Sequence, residues 1–336
     1  MEGADRPVIF PISDLLISLY SLIIFIIFFL LLLMEVLYLS FAKHLKIFDK
    51  PNLRSSHLYS TIRGGGIVFY IGILIYYILN GIHYPLFSIG LTLIIIISFL
   101  EDLKTIPFFT RIVFHFIAIL LMLYDCGVYS LPFLIIVVFI IVSIGIINAY
   151  NFMDGINGMT GGYSLVVLSS FWYINNYIVP FIDNERIYFI SISLLVFNLF
   201  NFRKRALCFA GDVGAIGIAY IIVFLLAKLI VQTQDFTYII ILLVYGVDSI
   251  LTIVHRIILK ENIFVAHREH LYQIMSNELH IPHICVSMVY MTIQMTIMIG
   301  YFAFQAYSVW YFFVSASLLA TLYVLFVRKY FRLHLI

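Results

Sequence analysis

Charge is scarce in this sequence. Only 36 of 336 residues are Asp, Glu, Lys or Arg, 11% of the chain, where a soluble domain carries about 25%. So few charges cannot cover a water-facing surface that would include runs such as LLISLYSLIIFIIFFLLLLMEVLYL, and a soluble fold is excluded. Cysteine is equally sparse: Cys126, Cys208 and Cys285 are scattered without a CxxC or metal spacing, which supports neither a disulfide framework nor a zinc site. The net charge of +2 lacks the polybasic character that would suggest nucleic acid.

What is abundant is apolar sequence, 64% of the chain. At about 20–25 residues per span, the length holds roughly ten or eleven spans and leaves no room for a separate soluble domain. Apolar runs bounded by charge, Pro and Gly fall at 14–42, 66–82, 85–100, 111–125, 131–149, 159–176, 186–202, 213–231, 236–256, 283–305 and 307–327. The sequence therefore predicts an all-α polytopic membrane protein, a single integral membrane domain over 1–336 with about eleven transmembrane helices. The first run is too long for a cleavable signal and no small-residue cleavage site follows it, so it reads as a retained span.

Eleven spans put the termini on opposite sides and gather the connections 43–65, 101–110, 150–158, 203–212 and 257–282 with the C-terminus on one side. That side, with the flanking Arg111 and Arg256, carries sixteen of the nineteen Lys and Arg; only Arg6, Arg186 and Lys228 lie elsewhere. The positive-inside rule then expects the N-terminus outside and the C-terminus and long loops in the cytoplasm.

Five polar clusters adjoin the hydrocarbon. In FDKPNLRSSHLYSTIRGGG, Arg54, His57 and Arg63 join Ser55, Ser56 and three glycines, a donor set suited to phosphate; the plainer reading is a basic loop attracted to anionic lipid. Glu101 and Asp102 precede Lys104 and Arg111. Adjacent carboxylates suit magnesium shared with a diphosphate, but taken alone they also read as a surface ion-pair cluster. In NAYNFMDGINGMTGG, Asn148, Asn151 and Asp154 recur every three residues before Gly155 and Gly158, and amides with a carboxylate suit a base or sugar; helix–helix contacts through Asn and small residues explain fewer of them. Asp212, in the GDVG that opens a span, is either that helix's N-cap or a metal ligand. His267, Arg268 and His270 in AHREHLYQ lack a third metal ligand at zinc spacing and fit a diphosphate better. Glu35 and Asp248 lie within spans, where a carboxylate is a functional suspect, although both could be structural. Span counting puts all five clusters on one side, as a single active site requires.

In order along the chain, RSSH, RGGG, the acidic pair, NxxNxxDGxxG, GDxG, an Asp eight residues before Arg256, and HRxH resemble the polyprenyl-phosphate N-acetylhexosamine-1-phosphate transferases, glycosyltransferase family 4. That membrane family includes the initiators of O-antigen, capsule and teichoic acid synthesis and the peptidoglycan phospho-MurNAc-pentapeptide transferase. The resemblance implies transfer of a sugar 1-phosphate from a UDP-sugar such as UDP-N-acetylglucosamine to undecaprenyl phosphate, with Mg2+ (Mn2+ as the alternative ion) and release of UMP, at the cytoplasmic face of a bacterial inner membrane. It implies Asp212 as a metal ligand with Asp102, Glu101 and Asp102 at the metal and acceptor phosphate, Asn151 and Asp154 along the uridine and phosphate site, and His267, Arg268 and His270 on the diphosphate or sugar. Asn148, Asn157, Arg54, His57, Arg63 and Lys104 complete the expected substrate-binding set, and a homodimer is compatible with it. HRxHxYQ looks more like the O-antigen or capsule branch than the peptidoglycan branch. Three departures stand out: Glu101 where the pair is usually Asp-Asp, Asn157 in place of the second acidic residue of a common DGxDG, and Ser60-Thr61-Ile62 where Pro-Thr-Pro often precedes RGGG. The competing classes are a transporter or flippase of lipid-linked sugars, which would line a path through the membrane with polar residues, and a non-catalytic scaffold.

Overall fold

The computed structural model describes residues 12–51, 56–57, 59–104, 106–262 and 268–330. Each of the eleven apolar runs is helical. The helices are α1 (Ile12–His44), α2 (Ile67–Asn80), α3 (Pro85–Leu103), α4 (Phe108–Asp125), α5 (Phe133–Met153), α6 (Met159–Tyr177), α7 (Asn184–Asn201), α8 (Gly211–Thr233), α9 (Leu243–Ile258), the short α10 (Leu271–Gln273), α11 (His283–Ala303) and α12 (Ser308–Tyr330). In hydrocarbon every backbone N–H and C=O must find a partner within its own segment, which a helix provides. Proline marks the starts: Pro85 opens α3, and Pro107, Pro132 and Pro282 stand just before α4, α5 and α11. The predicted span 236–256 is a composite, with a 3-10 segment Phe236–Leu242 leading into α9.

Seven helical stretches, among the described residues, are long and apolar enough to cross a membrane. Of the other four expected spans, α2 has only 14 residues, and α4, α6 and α7 carry more polar side chains, such as Arg111 and His115 or the Asn175-Asn176 pair. The chain is thus an all-α polytopic membrane protein. Its central helix is α8, buried along nearly its whole length; α3 and α5 pack directly on it, with α2, α4 and α6 also in contact.

Two ends of this bundle are distinct. At one, the start of α2, the ends of α3 and α5 and the start of α8 converge. A small antiparallel pair, β1 (Phe48–Asp49) and β2 (Thr61–Ile62), lies there, and Ile62 bridges in parallel to Cys208. Gly65 and Gly66 N–H then donate to the carbonyls of Phe209 and Ala210 at 2.9 and 3.1 Å, which seats the glycine turn against the start of α8. Gly66 and Gly214 meet backbone to backbone, so a Cβ on Gly66 would collide with the Gly214 Cα and lie 3.0 Å from the Ala210 carbonyl oxygen. Neither is a flexible side chain that can yield. Gly66→Ala is expected to cost about 1–3 kcal/mol, read as a lower thermal midpoint of the purified protein.

At the opposite end, Arg186 of α7 is wholly buried in an aromatic box. Its guanidinium carbon lies 4.9 Å from the Tyr76 ring centroid, 4.7 Å from Tyr84 and 5.7 Å from Phe224, with Asp183 at 3.7 Å. A buried cation needs such compensation. Here it ties α2, α7 and α8 together, while Asp125 at the end of α4 accepts the Phe87 N–H of α3 at 2.8 Å. The helices α2, α3, α4, α7 and α8 therefore alternate in direction.

Candidate active site

The site is built where the glycine turn meets the first residues of α8. Gly64 (φ +88) and Gly211 (φ +72) adopt left-handed backbone that a side chain would strain, and the two strands of chain approach closely enough for Asp102, from the last turn of α3, to reach between them. The Asp102 side chain is wholly buried and both of its oxygens are engaged. Oδ1 accepts from Arg63 Nε at 2.6 Å and from the Asp212 N–H at 2.9 Å, and Oδ2 accepts from the Val213 N–H at 3.1 Å. An anion at the N-terminus of a helix meets unsatisfied N–H groups and the positive end of the dipole. Asp102, from another helix, thus supplies the cap for α8, and the reading of Asp212 as that helix's own N-cap is set aside.

Asp212 is thereby left to point into the site. Its side chain is 17% exposed, and its Oδ1 accepts from Arg63 Nη2 at 2.9 Å and Asn151 Nδ2 at 3.2 Å. Among the described residues Oδ2 takes no hydrogen bond. Burial alone would lower the Arg63 pKa, but Asp102 and Asp212 beside it raise it, so the guanidinium stays charged as a bridge between the two carboxylates. Asp154, just past the end of α5, accepts from the Thr160 hydroxyl at 2.6 Å. Burial pushes its carboxyl up to about 6, against the pull of the Thr160 bond and with Asp212 adding to the rise.

The segment from Arg268 to Tyr272 also reaches the end of α5. Asp248 organises it: Oδ1 accepts from the Leu271 N–H at 3.1 Å, the Thr252 hydroxyl at 3.1 Å and His270 Nδ1 at 3.3 Å, and Oδ2 from the Tyr290 hydroxyl at 2.6 Å. Tyr272 donates to the Phe152 carbonyl at 2.8 Å and packs against Gly155, which joins the loop to the Asn151–Asp154 segment. Arg256 secures the approach to the loop through Glu261 at 2.9 Å and Glu269 at 3.5 Å. The intramembrane Asp248 is therefore an anchor bonded to neighbouring elements. Asp248→Ala would leave several buried donors without an acceptor and is expected to cost on the order of 3 kcal/mol, seen in thermal unfolding of the detergent-solubilised protein.

Glu101 accepts from the Ile106 N–H at 2.8 Å and Arg111 at 3.1 Å, which folds the connection after α3. Lys104 is exposed at the end of α3. Asn148 donates to the Ile144 carbonyl of its own helix at 2.8 Å. Asn157 donates to the carbonyls of Arg203 and Lys204 at 2.8 and 3.3 Å, a contact between two loops. His57 lies 3.9 Å from Asp49 and its ring centroid 4.8 Å from that of Phe209, and Arg268 lies 3.9 Å from Glu278. Arg54 and His267 fall outside the described residues. His115 and Ser98 were not expected. They line a narrow cleft with Glu101, Arg111 and Asp212 between α3, α4 and α8. His115 lies one turn beyond Arg111 on α4, so an i,i+4 reading of that otherwise apolar run could have found it.

No group of three or more His, Cys, Asp or Glu side chains able to hold a metal occurs among the described residues. Two carboxylates, one presenting an uncommitted oxygen, are not a zinc cage. They do suit Mg2+, which binds through one or two carboxylates and takes its other ligands from water and substrate phosphates.

The segment that builds this site is also the one that resembles known proteins. Residues 84–230, which run from α3 into α8 and include Asp102, Asn151, Asp154 and Asp212, match the profile of Glycosyl transferase family 4. The chain is also 25% identical over 254 residues, 67% of its own length and 68% of the other's, to the "Probable undecaprenyl-phosphate N-acetylglucosaminyl 1-phosphate transferase" of Bacillus subtilis (strain 168).

Proposed function

We propose that the protein transfers an N-acetylhexosamine 1-phosphate from its UDP-sugar to undecaprenyl phosphate, releasing UMP, as the first step of a lipid-linked surface polysaccharide. The name of the Bacillus subtilis relative supports the acceptor and the type of transfer. The observation that carries the reading is the assembly of Asp102, Arg63, Asp212 and Asn151 at one end of the bundle, where a soluble nucleotide sugar can meet a phosphate held in the membrane. The distribution of Lys and Arg supports the cytoplasmic side for this end, in an eleven-span bacterial inner-membrane protein with its N-terminus outside.

In this reaction an oxygen of the lipid phosphate bonds to the sugar-bearing phosphorus, the bond from that phosphorus to the bridging oxygen breaks, and UMP departs with the electron pair. A phosphate monoester is already anionic at neutral pH, so no strong base is needed; the work is positioning and charge neutralisation. Asp212, whose Oδ2 is uncommitted, would hold Mg2+, which would supply electrophilic stabilisation of the diphosphate, while Asp102 keeps Arg63 and the start of α8 in place. Arg63 sets the two aspartates at fixed separation and adds positive charge where the phosphates crowd together. Asn151 orients the Asp212 carboxylate, and Asp154 and His270 stand on the adjoining loops that would receive the nucleotide and diphosphate. Asp102, with no exposed side-chain surface and both oxygens bonded, is poorly disposed to act as a covalent nucleophile, and direct attack is favoured. A transporter would need polar groups along the bundle, yet Asp248 is bonded into a loop anchor and Arg186 is sealed in its box.

Incubating the purified protein with undecaprenyl phosphate and a panel of UDP-N-acetyl sugars tests the reading. One or more donors should yield UMP and a lipid diphosphate sugar in equal amounts; inactivity across the panel would overturn it.

A further inference from the structure

Helix α1 lies outside the segment that matches the family profile, yet Glu35 and Tyr38, one turn apart on the same helix face, reach the back of the site. The Tyr38 hydroxyl donates to the backbone carbonyl of Arg63 at 2.7 Å, and its ring end stands against Gly64. Glu35 is wholly buried. Its Oε1 accepts from Cys208 Sγ at 3.5 Å and lies so near the next glycine that a Cβ on Gly65 would come within 2.9 Å of it. Its Oε2 has no hydrogen-bond partner among the described residues. Such a group is costly inside a membrane helix. Here it occupies the one place where α1, the glycine turn and the Cys208 strand segment meet.

We propose that Glu35 and Tyr38 are positioning residues: they clamp the backbone of Arg63, Gly64 and Gly65 so that the Arg63 guanidinium falls between Asp102 and Asp212. Helix α1 is then a working part of the site as well as an anchor. Arg63 reaches Asp102 and Asp212 with different nitrogens, so a small shift of its backbone breaks one contact or both. A misplacement of about 1 Å in such a site costs on the order of 10²-fold in rate.

The test uses the full-length purified chain with Tyr38→Phe, which keeps the ring and removes the hydroxyl, Glu35→Ala, and Glu35→Gln, which keeps size and the accepting oxygen. Phenylglyoxal labelling of individual arginines, followed by mass spectrometry, needs no enzymatic activity. Arg63 should label several-fold faster than wild type in Tyr38→Phe and Glu35→Ala, with exposed Arg328 unchanged and Glu35→Gln restoring the wild-type rate. The activity readout alone rests on the transferase reading. There kcat should fall about tenfold or more in Tyr38→Phe, with KM for the UDP-sugar little altered. Wild-type labelling of Arg63 in Tyr38→Phe, or an equal rise at every arginine, would overturn the proposal; if Glu35→Ala does not fold, Tyr38→Phe decides. A wild-type chain without transfer activity would instead refute the transferase reading and leave labelling as the judge of this one.

Discussion

Asp212→Asn should abolish sugar-phosphate transfer, with a fall in kcat on the order of 10³-fold or more, while the protein stays folded. The two halves of that expectation come from the same geometry. Asp212 does not cap α8, and its hydrogen bonds run through Oδ1 to Arg63 and Asn151. An asparagine can present its carbonyl oxygen to both donors, so thermal unfolding should move by no more than about 1 kcal/mol. What asparagine cannot supply is the negative charge that faces the site, and the Mg2+ proposed there would lose its main ligand. Raising Mg2+ should recover little of the rate. Turnover at the wild-type level would remove Asp212 from the centre.

Asp102→Asn should fail differently, losing stability and activity together. The carboxylate is buried, and both its oxygens receive N–H groups from Arg63 and the first residues of α8. Asparagine has one oxygen and one NH2. Whichever way the amide is turned, its NH2 confronts an N–H donor, and the Arg63 charge loses its closest partner. Removing one member of a buried ion pair typically costs about 3–5 kcal/mol, so the thermal midpoint should drop markedly. Transfer should fall by about 10²-fold or more, because Arg63 and the start of α8 both shift. The contrast between the two variants is informative: a folded, inactive Asp212→Asn beside a weakened, inactive Asp102→Asn separates the residue that faces substrate from the one that holds it in place. Equal stability of the two variants would contradict the capping role of Asp102.

The helices were legible because hydrocarbon imposes length and apolarity on each of them, and all eleven apolar runs are helical. The composite span at 236–256 was not, since a 3-10 turn and an α-turn share the same hydropathy. Most clusters of the site were legible as polar residues where none should be, but membership was harder to read. Asn148, Asn151 and Asp154 follow one spacing, and only the last two face the centre, because the end of α5 leaves Asn148 on the outer surface bonded to its own helix. Glu101 and Asp102 are neighbours with different duties, one folding a loop and the other capping α8, because successive residues on a helix point about 100° apart. Asp248 read as an intramembrane carboxylate with two open roles, and only the return of the 268–271 segment onto α9 decides between them. His115 and the grip of Glu35 and Tyr38 on the glycine turn were hidden in apolar helices, where sequence gives no sign of which face meets which neighbour.

The proposed role of this pair of aspartates is transfer from a nucleotide sugar to a lipid phosphate. It is tested most directly by quantifying UMP and lipid-linked product from purified protein given UDP-N-acetylhexosamine, with and without undecaprenyl phosphate, Mg2+ and the Asp212 carboxylate. Equimolar UMP and lipid diphosphate sugar are expected only when all three are present, with loss on chelation of the metal. UMP release that persists without the lipid phosphate, or an equal yield from Asp212→Asn, would contradict it.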